Sequence, residues 1–184
     1  DFTDFRQRIR RIDVEVYALN KPAGKAWSSY LRLWRLLRQL KPDIVHTRNL
    51  ATLEGQVPAF LAGIKGRVHS EHGWDMANLS GGNQRHRLLR RLIRPFVQQY
   101  IALSRDLQRY LERSIGVDPT RLTQIYNGVD DDRFSPNGLS AADLPWPRRD
   151  VFVFGTVGRL QAVKDQLTLV RAFAELQLQH AALA

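Results

Sequence analysis

The chain has 184 residues, 43% of them hydrophobic and 25% charged, a balance that suits a folded protein with about one domain's worth of core and excludes wholesale disorder. It carries 28 Lys+Arg against 18 Asp+Glu, and the formal charge of +10 points to anionic partners: phosphorylated small molecules, nucleic acid or acidic lipid. There is no cysteine, which removes disulfides, thiolate metal sites and thiol nucleophiles, and no apolar run approaches the roughly 20 residues needed to cross a bilayer.

In chain order, Asp13 to Leu19 alternates weakly and predicts a strand. Ser28 is placed to cap the next helix, in which Leu33, Leu36, Leu37 and Leu40 share one face and Arg32, Arg35 and Arg38 another. Pro42 ends it, and "DIVHT" reads as a short buried strand. A helical pattern over about 52–62 contains Pro58, a kink or a first-turn residue. "KGRVHSEHG" predicts a strand running into a loop.

A strongly basic helix is expected from Asn83 to Gln98, then "YIALS" as a strand and "RDLQRYLERSIGV" as a helix closed by Gly116. "RLTQIYNGV" reads as a strand ending in Asn127 and Gly128, a pair suited to positive φ. Residues 131–150 hold Pro136, Gly138, Pro145 and Pro147 among polar neighbours and read as a linker. "VFVFGTVG" and a helix from about Lys164 open a further βα unit. Repeated alternation with short connections predicts an α/β fold, a Rossmann-like parallel sheet flanked by helices on both faces. The expected organisation is a Rossmann-like domain over 1–130, a hinge over 131–150 and the start of a second domain over 151–184.

Four features bear chemistry. On the basic helix, Arg87, Arg90, Arg91 and Arg94 share a face at i, i+3, i+4 and i+7, opposite Leu88, Leu92 and Phe96. That face reads as a solvated outer surface or as a candidate contact with an anionic membrane. No aromatics interleave with the arginines to stack bases, so nucleic acid is not the expected partner. Strand alternation sends His69 and His72 to different faces, which argues against a zinc site.

Ligands of such sheets bind beyond the carboxyl ends of the strands. His72 stands there with Glu71 and Gly73; Asn49, Ser104 and Asn127 stand at the ends of other strands and are candidate rim residues, although Ser104 is also placed to cap a helix. Finally, Gly158, Arg159 and Lys164 precede an amphipathic segment, where free N–H groups and two cations suit a diphosphate; a plain βα turn with solvated charges is the alternative. No G-x-S-x-G, G-x-x-x-x-G-K-[ST] or G-x-G-x-x-G occurs.

The order of "DIVHTRN", "EHG", "IYNGVDDDRFSP" and "VGRLQAVKDQLTLVRAFAEL" resembles the GT-B glycosyltransferases, specifically the large retaining family 4, or group 1. The resemblance implies transfer of a sugar from a nucleotide-sugar donor with retention, no cofactor and no obligate metal. It implies that Arg159 and Lys164 bind the donor diphosphate and that His72 lies near the transferred sugar. With the basic surface, it suggests a lipid-linked or polysaccharide acceptor in cell-envelope or exopolysaccharide biosynthesis, in the cytoplasm or peripherally at the inner face of the membrane.

By the same resemblance both ends look cut: a glycine-rich first loop would precede Asp1 and an acidic pair would follow Ala184. Little or no transferase activity is expected of these residues alone. Two consequences remain open in the sequence. "VFVFGTVG" could fold back to pair with "DVEVYAL" in place of the absent strand. The rival functions are a non-catalytic basic module for RNA or anionic membrane, and a nucleotide-sugar epimerase of similar two-domain layout.

Overall fold

A computed structural model describes residues 9, 13–20, 27–73, 83–132, 134–135, 153–161 and 164–179. The chain divides into two compact units, Asp1–Asn127 and Gly128–Ala184.

In the first unit, α1 (Trp27–Leu40) leads to β1 (Ile44–Arg48) and two short helices, α2 (Asn49–Leu53) and α3 (Gln56–Leu61). Then come β2 (Gly66–Glu71), α4 (Gln84–Ile93), a 3-10 turn at Arg94–Phe96, β3 (Gln99–Ala102), α5 (Arg105–Tyr110) continued by a π-turn to Ile115, and β4 (Leu122–Gln124). All pairings are parallel, in the order β1-β2-β3-β4. This is the α/β fold with a helix-flanked parallel sheet that the alternating pattern implies.

The strand order never reverses. Right-handed crossovers therefore carry every connecting helix to the same face. Burial agrees: the cross-strand row Thr47, His69, Tyr100 and Leu122 is buried, whereas Ile44, His46, Arg48 and Thr123, of the other parity, are exposed. The expectation of helices on both faces is thus not met among the described residues of this unit.

The core fills the space between sheet and helices with Leu53, Val97, Tyr100, Ala102, Leu107, Tyr110, Leu111, Ile115, Val117 and Leu122. Each large member fully removed from water contributes about 1.5–3 kcal/mol. A second cluster of Leu37, Ala59 and Ile64, joined by Leu33 and Val45, seats α1 against α3 and the end of the sheet.

Local chemistry fixes the helix ends. The Ser104 hydroxyl accepts the Leu107 N–H at 3.1 Å, and Asn83 Oδ1 accepts the N–H groups of Arg85 and His86 at 3.1 and 3.3 Å. Gly116 closes the α5 segment at φ +77°, the left-handed conformation that its sequence position implies. Pro58 falls in the first turn of α3, where its missing N–H is harmless.

Several expectations are corrected. Ser28 lies inside α1 rather than before it. Residues 13–19 form no strand, and the described residues 153–157 form none either; 151 and 152 lie outside the described residues. Neither Asn127 nor Gly128 adopts positive φ: β4 already ends at Gln124, and the next turn comes at 131–132. The expected hinge lies mostly outside the described residues. In the second unit the one regular element described is α6 (Gln166–Gln179).

Candidate functional site

The carboxyl ends of β1 and β2 bring two polar chains within one residue of each other, on opposite faces of the sheet. On the helix side, Gln56 Nε2 donates to Thr47 Oγ1 at 2.6 Å and to the Val68 carbonyl at 2.8 Å. Thr47 Oγ1 lies 2.8 Å from His69 Nδ1, and His69 Nε2 lies 3.4 Å from Glu71 Oε1. Arg90 then closes on the carboxylate, Nε to Oε1 at 2.6 Å and Nη2 to Oε2 at 3.2 Å.

Glu71 accepts from Arg90 and from His69 Nε2, and the Thr47 oxygen accepts from Gln56; in a neutral ring with its hydrogen on Nε2, His69 Nδ1 accepts from Thr47. All five side chains are buried. Burial pushes the Glu71 carboxyl up, but the hydrogen bonds from His69 and Arg90 and the Arg90 charge more than reverse this and leave it below the ordinary carboxylate value.

This overturns two expectations. Glu71 points into the helix layer and is not a rim residue. Arg90 is 4% exposed and faces the core, not a membrane. The reason is electrostatic: a buried carboxylate needs a buried counter-charge. The rest of the basic face also serves the chain itself. Arg94 Nη1 donates to the carbonyls of Ile115 and Gly116 at 3.0 and 2.6 Å, and Arg91 Nε donates to Ser114 O at 2.9 Å, so both satisfy carbonyls at the end of the α5 segment. Arg87 is half-buried. What α4 turns outward instead is Leu88, 57% exposed, and Leu92, 61% exposed, beside Arg85 and Arg91.

On the open side of the sheet, Ser70 Oγ lies 2.8 Å from His46 Nε2 and 2.8 Å from His72 Nε2. The His72 backbone N–H donates to Asn49 Oδ1 at 2.8 Å. Asn49 holds φ +58°, a left-handed conformation that Asn tolerates better than most residues. His72 is therefore held by both its ring and its main chain. Its Nδ1 is buried and has no hydrogen-bond partner among the described residues. Burial, then the Arg48 charge, hold the His72 imidazole below its ordinary value, so the neutral form prevails near pH 7. Gly73 follows at φ +151°, a conformation side chains rarely adopt.

Of the predicted rim residues, the structure joins Asn49 to His72 and leaves Gly73 next to them. Ser104 is committed to its helix, and Asn127 is exposed beyond β4. Ser70 escaped the sequence reading, although its i, i+2 spacing to His72 was a usable signal. In the second unit, the Lys164 stem lies along Gly158, with Cγ 3.7 Å from where a Cβ would stand. Gln166 Nε2 donates to the Arg159 carbonyl at 2.9 Å, tying the turn to the first residue of α6. Arg159 and Lys164 are both exposed.

A groove of about 590 Å³ runs between α1, α3 and α4, lined chiefly by Trp27, Leu31, Trp34, Val57, Leu61 and Ile93. At its edge Tyr30 donates its hydroxyl to Glu54, and burial with that carboxylate pushes the phenol up to about 12. No helix among the described residues is long and apolar enough to cross a membrane.

Residues 1–133 match the family described as Glycosyltransferase Family 4. The chain is also similar to the UDP-Gal:alpha-D-GlcNAc-diphosphoundecaprenol alpha-1,3-galactosyltransferase of Escherichia coli, 29% identical over 171 residues. That alignment covers 89% of this chain and 44% of the relative, so the chain spans less than half of the relative's length.

Proposed function

Because the chain belongs to glycosyltransferase family 4, we propose that the protein carrying it transfers a hexose from a nucleotide-sugar to a lipid-linked acceptor, with retention of anomeric configuration, in cell-envelope or polysaccharide biosynthesis. The observation that carries this reading is His72, neutral and clamped at the end of β2, with one ring nitrogen left for a ligand. In the reaction the bond from the anomeric carbon to the diphosphate breaks, the nucleoside diphosphate leaves with the electron pair, and the acceptor hydroxyl oxygen forms the new bond while its proton passes to the departing phosphate. His72 lies beside the transferred sugar. Gly158, Arg159 and Lys164 bind the diphosphate, whose charge grows as it departs, and fixed cations there lower the barrier. The reaction needs no resident cofactor.

A lipid-linked acceptor suits the exposed leucines of α4 and the apolar groove beside them, with Arg85 and Arg91 available to anionic headgroups at the membrane surface. The relative's acceptor, a GlcNAc-diphosphate on undecaprenol by its name, has this chemistry.

The test is transfer by the whole polypeptide from UDP-galactose to GlcNAc-diphosphoundecaprenol, followed by a panel of other nucleotide-sugars and lipid acceptors. His72→Ala should lower kcat about a hundredfold, and Arg159→Ala or Lys164→Ala should weaken donor use severely. Absence of transfer across the panel, or unchanged kinetics in these variants, would remove the reading.

A further inference from the structure

The open-face chain contains more than His72. One serine hydroxyl is shared between two imidazole nitrogens, at 2.8 Å to each. A hydroxyl has a single hydrogen. If it donates to one ring it must accept from the other, so two neutral rings must hold opposite tautomers. We propose that Ser70 and His46 are positioning residues that set the tautomer His72 offers to the sugar.

The direction follows from exposure. His46 is exposed, so its ring keeps the Nε2–H form that free imidazole prefers and donates to Ser70. Ser70, 1% exposed and shut off from water, then donates to His72 Nε2. His72 carries its hydrogen on Nδ1, the buried nitrogen without a partner among the described residues. An unsatisfied buried donor is costly, and a sugar oxygen would relieve it. The charged groups acting on this ring are Arg48 and His46 from β1 on its own side of the sheet and Glu71 and His69 from β2 on the far side; the Arg48 cation opposes protonation of His72. The role assigned to the tautomer rests on the placement of His72 beside the transferred sugar; the tautomer itself does not.

The experiment has two arms. With ¹⁵N-labelled histidine, two-bond ¹H–¹⁵N correlation spectra of the protein should show His72 as Nδ1–H and His46 as Nε2–H. Ser70→Ala should return His72 to the Nε2–H form. The same tautomer on both rings, or a His72 unmoved by Ser70→Ala, would overturn the proposal. In the second arm, kinetics of the whole polypeptide with UDP-galactose and GlcNAc-diphosphoundecaprenol should show kcat reduced about tenfold by Ser70→Ala, with the donor KM changed less than about twofold.

The acid limb of kcat should move to higher pH in that variant, because the bond from Ser70 favours neutral His72. His46→Phe, at the exposed end where folding is not at stake, should lose a similar factor, and His46→Gln, which keeps an N–H for Ser70, should recover most of it. Unchanged kinetics in Ser70→Ala and His46→Phe would sink the proposal while leaving the transferase reading intact. Failure of the unaltered polypeptide to transfer sugar would sink that reading, and the spectra alone would then decide the tautomers.

Discussion

The two faces of β2 carry histidine chains built from adjacent residues, and they differ in how they end. On the helix face, His69 sits in a chain whose termini are Gln56 and the Glu71–Arg90 pair, with every link buried. On the open face, His72 sits in a chain that begins at exposed His46 and stops at a bare Nδ1. The closed chain holds α3, β1, β2 and α4 together; the unfinished one holds a ring steady for something else. The helix-face chain ends on an ion pair inside the core, whereas the open-face chain ends on an imidazole at the carboxyl end of its strand, where ligands of parallel sheets bind.

The sharpest way to break the contrast is to remove one end of the closed chain. Arg90→Ala should cost about 3–5 kcal/mol in urea unfolding, since it strands the Glu71 carboxylate, and Glu71→Leu added to Arg90→Met should recover much of that loss. The same pair sets acid sensitivity. The Glu71 carboxyl is depressed in the fold, so its contribution is present above the ordinary carboxylate value, about 4.3, and is lost as pH falls through the lower folded value. A pH series of melting temperatures should fall less steeply below pH 4 in Glu71→Gln than in the unaltered protein.

Next in size is Gly116→Ala. The backbone there is at φ +77°, and an added Cβ would stand 2.5 Å from Arg94 Nη1. A loss of about 1–3 kcal/mol is expected by thermal denaturation, and an Arg94→Ala background should reduce the steric part but not the conformational part.

On the open face, Ser70→Ala should change stability by only about 1 kcal/mol. Its larger effect belongs to the spectra and kinetics. Smallest of all, Leu88→Gln with Leu92→Gln should leave stability within about 0.5 kcal/mol because both are already exposed, while co-sedimentation with anionic lipid vesicles should drop. Unaltered vesicle binding would remove α4 from the membrane reading.

The alternation of strands and helices, the caps at Asn83 and Ser104 and the stop at Gly116 were legible because each depends on residues a few positions apart. The orientation of α4 was not. Its arginines form a tidy basic face, and such faces are usually solvated. The partner that turns Arg90 inward is Glu71, on a strand that precedes the helix, and no local pattern announces that a carboxylate will be buried. Strand propensity misled at 13–19 and 153–157 for the complementary reason: alternation shows that a segment could pair, not that a neighbour is there to pair with. At the site, Asn49 and His72 were legible as strand-end residues, and Ser70 was passed over because a serine in mid-strand looks neutral until its two neighbours are known.

The unbroken strand order has a kinetic consequence. Ile44 pairs with Gly66, Val68 with Gln99 and Tyr100 with Leu122, so every strand docks on the one made just before it. Loop closures stay short, and none must wait for a distant segment. As the chain leaves the ribosome, each βα unit can therefore be added to a finished edge, and hydrogen-exchange protection during synthesis should spread from β1 and β2 toward β4.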